Sequence, residues 1–122
     1  MKKQNLTICV VDDEQKILNL LKNFLAGRKG ADVHTFSKPV NALSFLNNGG
    51  RSCDILITDF NMPILTGIDL FNYAKEISPA IKTVCISGIP QHEDECIDVG
   101  FDVFLEKPLV LEKLWREICR LV

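Results

Sequence analysis

A chain of 122 residues, 47% hydrophobic and 25% charged, has the make-up of one globular domain, which at this size buries roughly two-thirds of its unfolded surface. A formal net charge of −2, an isoelectric point near 5.6 and the lack of any long lysine or arginine cluster argue against direct nucleic-acid binding. No apolar stretch reaches the roughly 18 residues of a membrane span, and Met1 to Leu6 lead into a strand without a signal-peptide pattern, so no membrane association and a cytoplasmic location are expected.

The elements alternate along the chain. Leu6 to Val11 reads as a first strand, and Asp12-Asp13-Glu14 opens a helix with Ile17, Leu20, Leu21, Phe24 and Leu25 on its apolar stripe. Gly27 and Gly30 end that helix, Val33 to Phe36 forms a short second strand, and Ser37 with Pro39 starts a helix carrying Val40, Leu43 and Leu46. Asn47-Asn48-Gly49-Gly50 stops it. Ile55 to Asp59 is a short apolar run that ends abruptly on an aspartate, the pattern of a buried parallel strand. Thr66 then caps a helix with Asp69 in its first turn and Leu70, Phe71, Ala74 and Ile77 facing inward, until Ser78-Pro79 breaks it. Thr83 to Ser87 is a fourth strand, Gln91 to Val99 a polar helix with a thin apolar stripe, and Val103 to Leu105 a fifth strand. After Lys107-Pro108, with the proline suited to a helix start, a last helix aligns Leu111, Leu114, Trp115, Ile118 and Leu121.

Strict alternation of five strands and five helices predicts a three-layer, doubly wound α/β domain with a parallel sheet and right-handed crossovers. The five cysteines, Cys9, Cys53, Cys85, Cys96 and Cys119, are an odd set without C-x-x-C spacing, which fits reduced apolar packing residues and neither a zinc site nor a disulfide framework.

Open α/β sheets hold ligands at the carboxyl ends of their strands, which is where Asp12, Asp13, Asp59, Ser87 and Lys107 fall. Three carboxylates in one crevice repel one another strongly unless a cation sits among them. Magnesium suits such a set: it takes oxygen ligands in an octahedron and keeps several waters, so two carboxylates and a backbone carbonyl after Asp59 suffice. Asp12-Asp13 equally suits a helix N-cap, and the two roles are compatible. Lys107 is placed to neutralise an oxyanion near Asp59 or else is a solvated loop lysine; Ser87 offers a hydroxyl to a phosphoryl oxygen or else is a turn serine before Gly88.

In this order, Asp12-Asp13, Asp59-Phe60-Asn61-Met62-Pro63, Gly67, Ser87, Phe104 and Lys107-Pro108 resemble the motifs of the response-regulator receiver domains of two-component signalling, the CheY-like superfamily. The resemblance spans essentially the whole chain and implies one receiver domain over 1–122, with a flavodoxin-like five-stranded sheet in the order 2-1-3-4-5. It implies Asp59 as phosphoacceptor, with Asp13, Asp59 and the Asn61 backbone on Mg²⁺ and Asp12 acting mainly through water. Lys107 and Ser87 then balance the phosphoryl charge, and Ser87 with Phe104 forms a switch toward the face made by the fourth helix, fifth strand and last helix. The implied partners are a sensor histidine kinase or phosphotransfer protein and a downstream effector, with a phosphorylation-dependent homodimer left open. Catalysis is limited to the domain's own phosphoryl transfer and slow autodephosphorylation. His34 and His92 match no motif position and read as ordinary surface or helix residues. Phe101, Gly88, Phe104 and Leu109 depart from the commonest pattern; Phe104 lacks the hydroxyl of the frequent tyrosine. Two other classes share parts of the signal. A phosphohydrolase using an aspartyl-phosphate carries Asp-x-Asp after its first strand, which Asp12-Asp13-Glu14 does not match. A flavin-binding module needs a phosphate loop that these carboxylates would repel. A non-phosphorylated interaction domain is the mildest alternative, and the complete acidic set argues against it.

Overall fold

Every residue of β3 (Ile55–Asp59) is buried in the computed structural model, which describes residues 5–48 and 52–122. Parallel to it lie β1 (Thr7–Val11), β2 (Asp32–Phe36), β4 (Lys82–Ser87) and β5 (Val103–Glu106), in the order β2-β1-β3-β4-β5. The crossovers are α1 (Gln15–Leu25), α2 (Pro39–Asn47), α3 (Gly67–Ile77), α4 (His92–Val99) and α5 (Leu111–Leu121). This is the doubly wound order expected, with a short 3-10 turn at Arg28–Gly30 added after α1.

The two-residue period of the strands sorts their side chains between the layers. Ile8 and Val10 of β1, Ile55 and Ile57 of β3 and Val84 and Ile86 of β4 pack with Leu18, Leu21 and Leu25 of α1 and Leu114 and Ile118 of α5. The alternate residues Cys9, Val11 and Leu56 meet Ala42 and Leu46 of α2 and Leu70 and Ala74 of α3. A third cluster, Phe60, Phe71, Cys85, Cys96 and Phe101, lies under α4 with Phe104 partly buried against it. Each aliphatic side chain buried this fully contributes about 1.5–3 kcal/mol. Cys9, Cys53, Cys85 and Cys96 are buried within these layers, none in a disulfide, and burial pushes the Cys53 thiol up to about 12. They are packing residues.

Several helix faces differ from the periodicity reading. Leu18, not Leu20, belongs to the core of α1, and Leu20 is 44% exposed. With Leu21 at the centre of the stripe, Leu18 lies about 60° around the helix and Leu20 about 100°. Val40 points outward, 58% exposed, because Pro39, Ala42 and Leu46 form the buried side of α2. Ile77, in the last turn of α3, is also exposed. Pro108 does not start the last helix: α5 begins at Leu111, and Pro108 stays in the loop after a cis Lys107-Pro108 peptide. The Gly49-Gly50 stop lies outside the described residues, and α2 ends at Asn47 before it.

The strand register decides what shares the carboxyl edge. Val11 pairs with Thr58, Asp59 with Ile86, and Ser87 with Glu106. Asp12, Asp59, Ser87 and Lys107 therefore emerge side by side.

Candidate functional site

Lys107 is the hub of the carboxyl edge. Its ammonium lies 3.1 Å from Asp12 Oδ2, 3.5 Å from Asp59 Oδ2 and 3.1 Å from Glu14 Oε1. Its backbone N–H donates to the Ser87 carbonyl at 2.8 Å, which fixes the start of the side chain at the end of β5. Asp12 is fully buried and Asp59 is 7% exposed, whereas Asp13 is exposed; one carboxylate oxygen from each of the three lies within 4.8 Å of the others.

One ammonium does not balance this set. Burial, then the neighbouring charges of Asp12 and Asp13, push the Asp59 carboxyl up to about 6 against the opposing pull of Lys107. Burial also raises Asp12, although the Glu14 N–H donates to its Oδ1 at 2.9 Å and Lys107 lowers it. For Lys107 itself, burial disfavours the ammonium, but the neighbouring carboxylates of Asp12, Glu14 and Asp59 outweigh it and the net shift is upward. Asp12 Oδ2 meets Lys107 as an ion pair but accepts no hydrogen bond from any described residue, an orphaned buried acceptor facing the cluster. Three hard oxygen donors with one unsatisfied buried lone pair fit a hard divalent cation of the magnesium type.

The local chain builds this edge from both sides. Asp13 does not cap α1: the N-cap is Glu14, without a side-chain cap, and Asp12 holds the turn through the Glu14 N–H. After β3 the chain runs through Phe60, Asn61, Met62 and Pro63, with Ile64 fully exposed at φ 74. Thr66 then caps α3 as expected, in a reciprocal capping box with Asp69, each bond at 3.1 Å. Gly67 donates its N–H to the Phe60 carbonyl at 2.9 Å, and a Cβ there would come within 2.5 Å of the Asp59 carbonyl oxygen. Only glycine lets the helix start so close to β3.

Ser87 and Phe104 sit on the β4–β5 side. The Ser87 hydroxyl, 2% exposed, accepts from the Ile89 N–H at 3.0 Å and lies 2.7 Å from His92 Nδ1. The His92 ring stacks on Phe60, the residue after Asp59, with centroids 3.8 Å apart and planes 18° apart. Phe104 pairs with Cys85 across the sheet and lies half-buried at the edge of the third cluster. The structure thus brings Asp12, Asp13, Asp59 and Lys107 into one cluster and Ser87 to the same sheet edge, with Asn61 in the exposed loop beyond. Two residues were not expected there. Glu14 shares Lys107 with the aspartates, a role the acidic run at 12–14 foreshadows. His92 is the other, and its only sequence trace is a histidine five residues after a strand-terminal serine, at the start of a helix.

Against known proteins, the response regulator receiver domain family matches residues 8–118. The response regulator protein TmoT of Ectopseudomonas mendocina is 33% identical over 120 residues, covering 93% of this chain and 51% of TmoT. The sensor histidine kinase RcsC of Salmonella typhi is 29% identical over 112 residues, 90% of this chain and 12% of that protein. The chain therefore spans about half, or far less, of these relatives. Among solved structures, a response regulator receiver domain protein from Clostridium thermocellum superposes with a TM-score of 0.85 at 29% identity, covering 95% of this chain and 93% of that one. An open, doubly wound α/β sheet with acids gathered at its carboxyl edge is an architecture shared by several classes of protein, and the family match selects the phosphorylation-based signalling domains among them. The chain belongs to the response regulator receiver domain family.

Proposed function

We propose that residues 1–122 act as one receiver unit that takes a phosphoryl group onto Asp59 from a phosphohistidine of a sensor histidine kinase or phosphotransfer protein. The observation that carries this is the shared Lys107 ammonium, 3.1 Å from Asp12 and 3.5 Å from Asp59, beside a carboxylate cluster that one cation does not neutralise. Asp13, Asp59 and the backbone carbonyl of Asn61 would hold Mg²⁺, with Asp12 acting mainly through water. Bound there, Mg²⁺ supplies positive charge for the oxygens of the transferring group.

The chain's own residues do the rest. An Asp59 carboxylate oxygen attacks phosphorus in line, an O–P bond forms, and the P–N bond to the donor imidazole breaks, with its electron pair leaving on nitrogen. Lys107 turns its charge from the carboxylates to the phosphoryl oxygens, and the Ser87 hydroxyl donates to one of them. As Ser87 moves inward, Phe104 follows it. Phe104 lines a groove of about 400 Å³ with Glu93, Leu105, Glu106, Pro108, Val110 and Lys113 on the α4-β5-α5 face. Movement of the ring reshapes that groove for an effector by biasing two existing states. Similarity to part of a sensor histidine kinase supports the kinase-linked reading.

The test is intact-mass spectrometry with acetyl phosphate as donor. Wild type gains one phosphoryl group in the presence of Mg²⁺ and none without it, and Asp59→Asn gains none. Incorporation that survives in Asp59→Asn overturns the assignment.

A further inference from the structure

We infer that His92 is a positioning residue for the phosphoryl switch: it holds the proton of the Ser87 hydroxyl in the resting chain, so phosphoryl binding must first break a Ser87–His92 hydrogen bond. This rests on the reading of Ser87 as the hydroxyl that receives the phosphoryl oxygen.

A serine hydroxyl has one proton to give and two lone pairs to accept with. The Ile89 N–H already occupies one lone pair at 3.0 Å. Two acceptors are near the hydroxyl: the Ile89 carbonyl at 3.5 Å, too long for a good O–H donor, and His92 Nδ1 at 2.7 Å, the optimum for one. With Nδ1 as the acceptor, the 2.7 Å contact takes the Ser87 proton and leaves the ring proton of His92 on Nε2, which is the tautomer we infer; the opposite tautomer would donate into the second lone pair of the hydroxyl, and the titration below separates the two. A phosphoryl oxygen on Asp59 needs that same proton. The two acceptors compete for a single donor.

The ring of His92 is itself held in place. It stacks on Phe60, which is 7% exposed. Phe60 is clamped by its N–H to the Ile86 carbonyl at 2.9 Å and by its carbonyl to the Gly67 N–H at 2.9 Å. The backbone N–H of His92 closes the first turn of α4 on the Ile89 carbonyl at 3.1 Å. The imidazole thus links the residue after the acceptor, the switch hydroxyl and the start of α4. α4 is lightly anchored, with Cys96 its one fully buried side chain. Release of Ser87 frees the first turn of this helix, which gives phosphorylation a direct route to α4 in addition to the movement of Phe104.

His92→Phe keeps the stack on Phe60 and deletes the acceptor. His92→Asn places an amide oxygen near the former Nδ1 and restores one. The probe is beryllofluoride with saturating Mg²⁺, titrated by amide chemical shifts. His92→Phe is expected to bind it about 3- to 10-fold more tightly than wild type, the ratio that one neutral hydrogen bond is worth. His92→Asn is expected to stay within about 2-fold of wild type, since it replaces one neutral hydrogen bond with another. In a Ser87→Ala background His92→Phe should change nothing, because the hydroxyl for which His92 competes is gone. Unchanged affinity in His92→Phe, or the same gain with and without Ser87, overturns the proposal. If Asp59→Asn still accepts a phosphoryl group from acetyl phosphate, it is the phosphoacceptor reading that fails instead.

Discussion

At the amino edge of the sheet, Asp54 accepts the Thr7 N–H at 2.8 Å and Asp102 accepts the Thr83 N–H at 2.8 Å, so each carboxylate ties the start of one strand to its neighbour. At the carboxyl edge, Asp12 and Asp59 face each other and Asp13 across a single ammonium. The same residue type has opposite energetic signs at the two ends. An aspartate that terminates a ladder of backbone donors is stabilised by charge-assisted hydrogen bonds. An aspartate set among other carboxylates in a low-dielectric crevice destabilises the fold until a cation or a phosphoryl group changes the balance.

Neutralising substitutions should therefore act in opposite directions at the two edges. The largest effect is expected for Asp59→Asn in metal-free protein. A carboxyl raised from 3.8 to about 6 binds its proton more tightly when folded. Its stabilising contribution is present below pH 4 and is lost as pH rises through 6. Above that, Asp59→Asn should be more stable than wild type by on the order of 2–3 kcal/mol, a gain that vanishes by about pH 4. Chemical denaturation across that range measures it, and a pH-independent difference would break the contrast. Next in size, Asp54→Ala and Asp102→Ala should each lower stability by about 1–2 kcal/mol, because each strips a strand N–H of its acceptor. The smallest effect belongs to the exposed Asp13. Asp13→Asn should raise the metal-free melting temperature by about 1–3 °C and shrink the further rise that Mg²⁺ produces by binding the native state. Equal magnesium increments in the two proteins would remove Asp13 from the shared cluster.

How far the sequence reveals these edges depends on the signal each residue carries. Asp12, Asp59 and Ser87 end apolar runs and Lys107 follows another with Glu106 between, and in a parallel sheet run ends converge, so their meeting follows from chain order. Asp54 and Asp102 precede strands and look like turn residues; their N–H partners are set by register, which depends on pairing across the sheet. The stripe of α1 contains more apolar residues than the core can take, and packing against β1 and β2 selects Leu18 over Leu20. Val40 is misread for a related reason, since Ala42 looks too small to define the buried side of α2 and yet does. His92 escapes because its partners, Ser87 and Phe60, come from two different strand ends, and a polar helix with one buried residue gives no periodicity to orient it.

Gly67 carries a consequence for how this domain tolerates change. Its Cα stands where any side chain would meet the Asp59 carbonyl oxygen at 2.5 Å, so each replacement displaces the backbone that presents the acceptor. In a saturation-mutagenesis scan scored on signalling, position 67 should be depleted nearly as completely as position 59. It would then look like a residue of the chemistry, although what it supplies is the absence of a side chain and one backbone N–H to the Phe60 carbonyl.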